Sequence, residues 1–94
     1  MFKEWIKLAA SIQDNTDKIN ELKCPTCGHC EIDYIYVGDL SDRIGYEQVW
    51  CNHCLRGIHV SRVMIPENVK VMSFEETKKI NTIVPNFKPI TPDE

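Results

Sequence analysis

The sequence of 94 residues contains no long apolar run. At its start, Lys3, Glu4 and Lys7 interrupt the apolar residues, so the continuous apolar core that a signal peptide requires is missing. No stretch approaches the roughly 18 consecutive apolar residues that indicate a membrane span. We therefore expect a cytoplasmic protein with no membrane contact, in a compartment where cysteine thiols stay reduced.

The sequence also has few of the features that mark an enzyme or a general nucleic-acid binder. It has only four glycines and no glycine-rich phosphate loop, and its serines stand in no recognisable nucleophile motif. The formal net charge is −3, from 11 basic and 14 acidic side chains. Because general affinity for nucleic acid depends on lysines and arginines that neutralise phosphates, this balance disfavours it. We predict a protein without enzymatic activity.

Five cysteines, in contrast, are many for a chain of this length. Four of them form two pairs with the same spacing, CPTC at residues 24–27 and CNHC at residues 51–54. This spacing lets a tight turn point both sulfurs at one ion, and paired cysteines in a reducing compartment indicate a metal rather than a disulfide. Four thiolates complete a tetrahedron and leave no open position. The pattern predicts one structural zinc ion held by Cys24, Cys27, Cys51 and Cys54.

Three neighbouring side chains offer alternative ligands. Cys30 follows Cys27 at the spacing found within each pair, so it competes with Cys24 for a place in the site. The CPTCG segment, with its proline and glycine, suits a metal-binding turn better. We therefore expect Cys30 to be a bystander thiol. His29 and His53 adjoin the cysteines and would give a mixed site, but we expect both to be ordinary surface residues.

Two helices are predicted, one before the cysteines and one after them. Apolar residues at three- and four-residue spacing predict an amphipathic helix over residues 2–13, which either packs on the domain or docks a partner. A capping box from Ser73 to Glu76 predicts a short helix over residues 74–82, followed by an extended tail. The apolar face of the first helix is predicted to consist of Phe2, Trp5, Ile6, Ala9 and Ile12.

Residues rich in β-branched and aromatic side chains predict the strands. Three strands are expected over residues 32–37, 44–50 and 58–65, with a short fourth strand near residues 69–72. Strict alternation in the third strand would place Ile58, Val60, Arg62 and Met64 on one face, and His59, Ser61, Val63 and Ile65 on the other.

The order of these features resembles a zinc ribbon. CPTCG, a strand, a turn, a second strand, WCNHC and a third strand follow one another over about residues 22–65. The resemblance implies rubredoxin-type cysteine turns and an antiparallel sheet of three or four strands. Together with the N-terminal amphipathic helix and the short C-terminal helix predicted outside the ribbon, we expect a small α+β fold. The chain then divides into a helical segment (1–22), the ribbon (23–72), and a short helix with an extended tail (73–94).

The distribution of charge favours a protein as the partner of this module. Residues 31–47 carry five acids against a single base, Arg43, and such a surface repels phosphate and attracts a basic protein. We predict a bacterial or phage protein that binds another protein, for example as an acidic antagonist or immunity-type protein. The five acids are Glu31, Asp33, Asp39, Asp42 and Glu47.

Binding of nucleic acid is the alternative function. Arg56, His59 and Arg62, with Lys23 close by, would form a small basic patch on the second cysteine pair and the third strand. Exposed aromatic side chains would then stack on bases. We expect most of them to lie in the sheet core instead, because the domain has few other large residues to bury. These aromatics are Tyr34, Tyr36, Tyr46 and Trp50.

Overall fold

A computed structural model of the chain describes residues 2–14, 16–67 and 69–92. The expected end of the tail, Asp93 and Glu94, lies outside this range. Among the described residues, no helix has the length and apolar character needed to cross a bilayer.

The N-terminal helix, α1, spans Phe2–Asp14 and packs on the sheet through one face. Trp5, Leu8, Ala9 and Ile12 are the buried residues of this face. Leu8 stands three residues after Trp5 and four before Ile12, so it joins the stripe, whereas Ile6 is 38% exposed. The predicted face was therefore wrong at Ile6 and lacked Leu8. A 3₁₀ helix, Thr16–Glu21, leads to the first cysteine pair.

The sheet has five strands in the order β4-β1-β2-β3-β5. The strands are β1 (Ile32–Asp39), β2 (Ile44–Cys51), β3 (Arg56–Met64), β4 (Val71–Ser73) and β5 (Lys88–Pro89). The first three form an antiparallel meander, as predicted. The short outer strands, β4 beside β1 and β5 beside β3, are both parallel to their neighbours. The prediction of a purely antiparallel sheet of three or four strands was therefore wrong. The chain crosses over before β4 and again before β5, so each of these strands runs parallel to the strand that it joins at the sheet edge.

The tail after Pro85 is held by backbone hydrogen bonds. The amide of Lys88 donates to the carbonyl of Leu55 at 2.9 Å, and the amide of Ile90 donates to the carbonyl of Gly57 at 2.8 Å. Ile90 is also buried in the main core. This part of the predicted extended tail thus completes one edge of the sheet.

A bulge in β3 overturns the alternation predicted there. Gly45 pairs with Val63 and Tyr46 pairs with Ser61, so Arg62 is an extra residue, and its φ is +56°. The bulge shifts the pleat by one residue. Val63 and Ile65 consequently join Ile58 and Val60 on the face toward α1, and Met64 is exposed.

Both faces of the sheet carry apolar clusters. The face toward α1 buries Tyr34, Tyr36, Val49 and Ile58 with the helix. The other face carries a smaller cluster of five buried side chains, to which the C-terminal part of the chain contributes. Its members are Ile35, Val37, Trp50, Met72 and Val84.

The segment after β4 begins with one half of the predicted capping box, in which the Glu76 carboxylate reaches back to Ser73. The Ser73 amide and hydroxyl both donate to Oε1 of Glu76, at 3.4 and 3.1 Å. A 3₁₀ helix follows over Phe74–Lys79, and then a single α-helical turn, α2, over Ile80–Ile83. The one helix predicted over residues 74–82 is thus replaced by two short pieces of different geometry.

Candidate metal centre

The four predicted cysteine ligands meet at one end of the sheet. Cys24 precedes a tight turn over residues 25–27, Cys51 ends β2, and Cys54 closes the turn that leads into β3. The four Sγ atoms all lie within 4.8 Å of one another. The structure therefore brings together the two pairs that the sequence analysis singled out.

The spacing of the sulfurs agrees with tetrahedral coordination. Sγ of Cys24 lies 3.6 Å from Sγ of Cys54, and Sγ of Cys27 lies 3.6 Å from Sγ of Cys51. A tetrahedron with zinc–sulfur bonds of about 2.3 Å has edges of about 3.8 Å. All five cysteines are free thiols, so no disulfide accounts for the cluster. The arrangement can hold one metal ion.

Backbone amides point at sulfurs of both cysteine pairs. The amides of Thr26 and Cys27 donate to Sγ of Cys24 at 3.3 and 3.4 Å, and the amide of His53 donates to Sγ of Cys51 at 3.4 Å. Such hydrogen bonds stabilise negative charge on sulfur and fix the orientation of a ligand. Both cysteine turns supply them.

The two turns have closely similar backbones. The Gly28 amide donates to the Cys24 carbonyl, and the Leu55 amide donates to the Cys51 carbonyl, both at 2.9 Å. The residue after each pair has a positive φ, +80° at Gly28 and +54° at Leu55. Glycine adopts this conformation freely, whereas leucine is strained in it.

Ionisation of the thiols is favoured at one cysteine and opposed at two others. A hydrogen bond from the His29 backbone lowers the pKa of the Cys27 thiol to about 6. Burial raises the pKa of the Cys54 thiol to about 12 and also raises the pKa of Cys51. Four thiolates this close repel one another, and a divalent cation among them would offset that repulsion.

The alternative ligands lie beside the cluster and outside it. Within the described part of the chain, the grouping of candidate metal ligands includes neither Cys30 nor a histidine. Cys30 is exposed. The rings of His29 and His53 stack with their centroids 3.6 Å apart, and Nδ1 of His53 lies 3.2 Å from Oε2 of Glu31. The histidines thus interact with each other and with a carboxylate.

The five acids of residues 31–47 do not share one surface. Glu47 is 1% exposed, and Asp33 pairs with Nζ of Lys70 at 2.5 Å. Asp39 and Asp42 remain exposed at the turn between β1 and β2. A single acidic field that includes Glu47 was therefore a wrong prediction. The signal was present in the sequence, because Glu47 alternates with the apolar Val49 and Cys51.

The residues of the predicted basic patch lie on β3. His59 and Arg62 are exposed, and both line a surface groove together with Asp39 and Asp42. Arg56 is half-buried at the start of the strand. The basic and acidic candidates therefore meet on the same side of the molecule.

Three of the four aromatics considered for base stacking are core residues. Tyr34, Tyr36 and Trp50 are buried, as predicted, and only Tyr46 is partly exposed. The Tyr46 ring stacks on the ring of His59 with centroids 4.6 Å apart.

Comparison of the chain with protein-family models, with curated proteins and with solved structures found no match. The functional argument therefore starts from the geometry of the chain itself.

Proposed function

We propose that the chain is a non-enzymatic, zinc-ribbon-like module in which one structural zinc ion supports a surface that binds another protein. The observation that carries the metal assignment is the cluster of four Sγ atoms within 4.8 Å. Zinc is favoured by tetrahedral thiolate coordination, and a four-cysteine site is typical of a structural ion with no position left for substrate. The module would act in a bacterial or phage cytoplasm.

The surface proposed for the partner is the hairpin end, defined here as residues 39–44 together with Phe74. Leu40, Ile44 and Phe74 are large apolar side chains there, each about half exposed (49%, 51% and 51%). Asp39 and Asp42 stand among them. Apolar side chains bordered by charge are typical of protein-binding surfaces. The partner would present an apolar patch with basic groups around it.

The single arginine of the hairpin end does not cancel this charge at its outer surface. Nε of Arg43 donates to the carbonyl of Ile65 at 3.1 Å, and Nη2 donates to the carbonyl of Pro66 at 2.5 Å. The guanidinium is thereby directed to the segment after β3. Asp39 and Asp42 then set the charge that an approaching partner meets first.

Binding of nucleic acid is the second candidate, because His59 and the basic Arg62 are exposed on β3. They line the same groove as the two aspartates. Removing one set of charges while keeping the other separates the two functions. We choose Asp39→Asn with Asp42→Asn, because Oδ1 of Asp39 accepts from the amides of Ser41 and Asp42, at 2.7 and 3.4 Å, and asparagine keeps that acceptor.

The experiment measures binding of the partner recovered from the source cells by affinity capture. The aspartate pair variant should slow association severalfold at low salt, with unchanged zinc content and little change in dissociation. The matched variant, Arg56→Gln with Arg62→Gln, should leave association with the protein partner intact. The proposal fails if binding of the captured partner requires the arginine pair and does not depend on the aspartate pair. We expect this outcome if the captured partner is a nucleic acid.

A further inference from the structure

The outer face of the β2–β3 pair forms the floor of a groove. Tyr46 lies opposite Ser61 and Gln48 lies opposite His59, so these four side chains share one face of the sheet. This face points away from α1, because the alternating residues Glu47, Val49 and Ile58 lie on the opposite face of the sheet, toward the helix. Two open depressions, of about 590 and 460 Å³, meet at His59 on this face. We call the two together the sheet groove.

One end of the sheet groove is apolar. Ile80, Val84 and Phe87 line it, and they belong to the segment that runs from α2 to β5. The Phe87 ring is held in place by the sheet, because it stacks on the ring of Trp50 with centroids 6.3 Å apart. This end offers a preformed apolar wall for a side chain.

The other end is acidic. Asp39 and Asp42 lie there, with Phe74 and Ile44 beside them and Arg62 of β3 in the same lining. Two carboxylates beside apolar surface suit the end of a lysine or arginine side chain, whose aliphatic stem would cover the apolar residues. They also oppose the approach of a phosphate group.

Two side-chain amides line the depression that holds the apolar end, and one of them, Gln48, lies opposite His59, where the two depressions meet. Gln48 and Asn86 line the sheet groove, and within the described residues their side chains make no hydrogen bond. An amide both donates and accepts, which matches the alternating donors and acceptors of an extended peptide backbone.

We propose that the sheet groove binds an extended peptide segment with an apolar side chain against Val84 and Phe87 and a lysine or arginine beside Asp39 and Asp42. This proposal rests on the proposed function, since it names the part of a protein partner that the module recognises. The molecule is 35 Å in its longest dimension. At about 3.3 Å per residue, an extended peptide of about eleven residues spans this length and therefore covers the sheet groove at any orientation.

The test is a selection of random peptides of about that length on the zinc-loaded protein, followed by anisotropy measurements with the selected peptides. Ser61→Trp places a bulky ring in the middle of the sheet groove, at an exposed strand position that accepts aromatic residues. Ala10→Trp is the matched control, because Ala10 is exposed on the outer side of α1. Both variants are first shown to keep zinc and the same circular dichroism.

The proposal expects a consensus with one basic and one apolar position at fixed spacing. Ser61→Trp should weaken binding of these peptides by at least about tenfold, and Ala10→Trp by less than about twofold. Asp39→Asn with Asp42→Asn should remove the preference for the basic position. Peptides without such a consensus, or equal binding to Ser61→Trp, overturn the proposal. Tighter binding of a single-stranded oligonucleotide that Ser61→Trp abolishes overturns it as well.

Failure of this proposal can be told apart from failure of the proposed function. If the cellular partner tolerates Ser61→Trp but loses affinity with the two asparagine substitutions, the sheet groove is not its site and the acidic surface still is. If the partner tolerates both, the proposed function fails together with the sheet groove.

Discussion

Glu47 lies directly opposite Tyr36 in the β1–β2 ladder, and both side chains are buried on the face that α1 covers. Oε2 of Glu47 and the Tyr36 hydroxyl have no hydrogen-bond partner among the described residues. Burial raises the pKa of Glu47 to about 7 from its usual value near 4.5. Burial, and then the nearby Glu47, raise the pKa of Tyr36 as well, so the tyrosine stays neutral.

We predict that Glu47→Gln stabilises the protein increasingly as pH rises. A carboxyl whose pKa is higher in the folded state stabilises the fold fully at a pH below its pKa in the unfolded chain. That contribution is lost as the pH rises from the unfolded-state pKa to the folded-state pKa, here from 4.5 to about 7. The variant's advantage in free energy of unfolding should grow by roughly 2 kcal/mol from about pH 5.5 to about pH 8, and then level off.

Urea unfolding at several pH values, with zinc present, measures this difference. Glu75→Gln is the control, because it makes the same substitution at an exposed position. The free energy of unfolding of this control should stay within about 0.5 kcal/mol of that of the unsubstituted protein, as is usual for a surface substitution. A constant difference for Glu47→Gln would show that the buried carboxyl does not titrate in this range.

The matched positions Gly28 and Leu55 give a second prediction. Leucine with φ of +54° carries about 1 kcal/mol of backbone strain, which glycine would relieve at some cost in chain entropy. Leu55→Gly should therefore be neutral or stabilise by up to about 1 kcal/mol. Gly28→Ala should destabilise by about 1 kcal/mol through backbone strain alone, because a Cβ there meets nothing within 4 Å. Equal losses for both substitutions in urea unfolding would contradict the shared geometry.

A third prediction concerns the fifth cysteine. Cys30→Ser should keep one zinc per chain, because the Cys30 thiol is exposed and outside the cluster. Cys27→Ser should lose zinc at stoichiometric concentration, since it removes one of four converging thiolates. Metal analysis after gel filtration compares the two variants. Loss of the ion in Cys30→Ser with retention in Cys24→Ser would reassign the first pair to Cys27 and Cys30.

The sequence was sufficient to predict the cysteine cluster and the antiparallel meander because both depend on local patterns. Two pairs with identical spacing and a hairpin between them leave few other arrangements. The short strand expected near residues 69–72 is present as β4, but the sequence was insufficient for its parallel pairing with β1. It was also insufficient for β5, which contains two residues and pairs with a strand far away in the chain. A segment of two residues has no periodicity of its own, and only its tertiary neighbours make it a strand.

The bulge at Arg62 shows a different limit. A positive φ at an arginine is unusual, and no glycine or asparagine marks the position. The consequence is large, because one extra residue moves Val63 and Ile65 into the core. The apolar character of these two residues could have suggested it, since strict alternation placed them together with His59 and Ser61.

The last prediction is that metal removal unfolds α1 together with the cysteine turns. Cys24 and Cys51 belong to the same buried cluster as Trp5 and Ile12, and Nε1 of Trp5 donates to Oγ1 of Thr26 at 3.1 Å. Structural zinc contributes roughly 10–16 kcal/mol of apparent binding free energy, and a domain is stable by only about 5–15 kcal/mol.

Helical dichroism and tryptophan fluorescence should therefore change at the same free zinc concentration during chelation. Glu75→Gln should follow the same coincident curve, because Glu75 is exposed. A helical signal that survives after the fluorescence has changed would instead establish residues 1–22 as an independent segment and contradict the shared core.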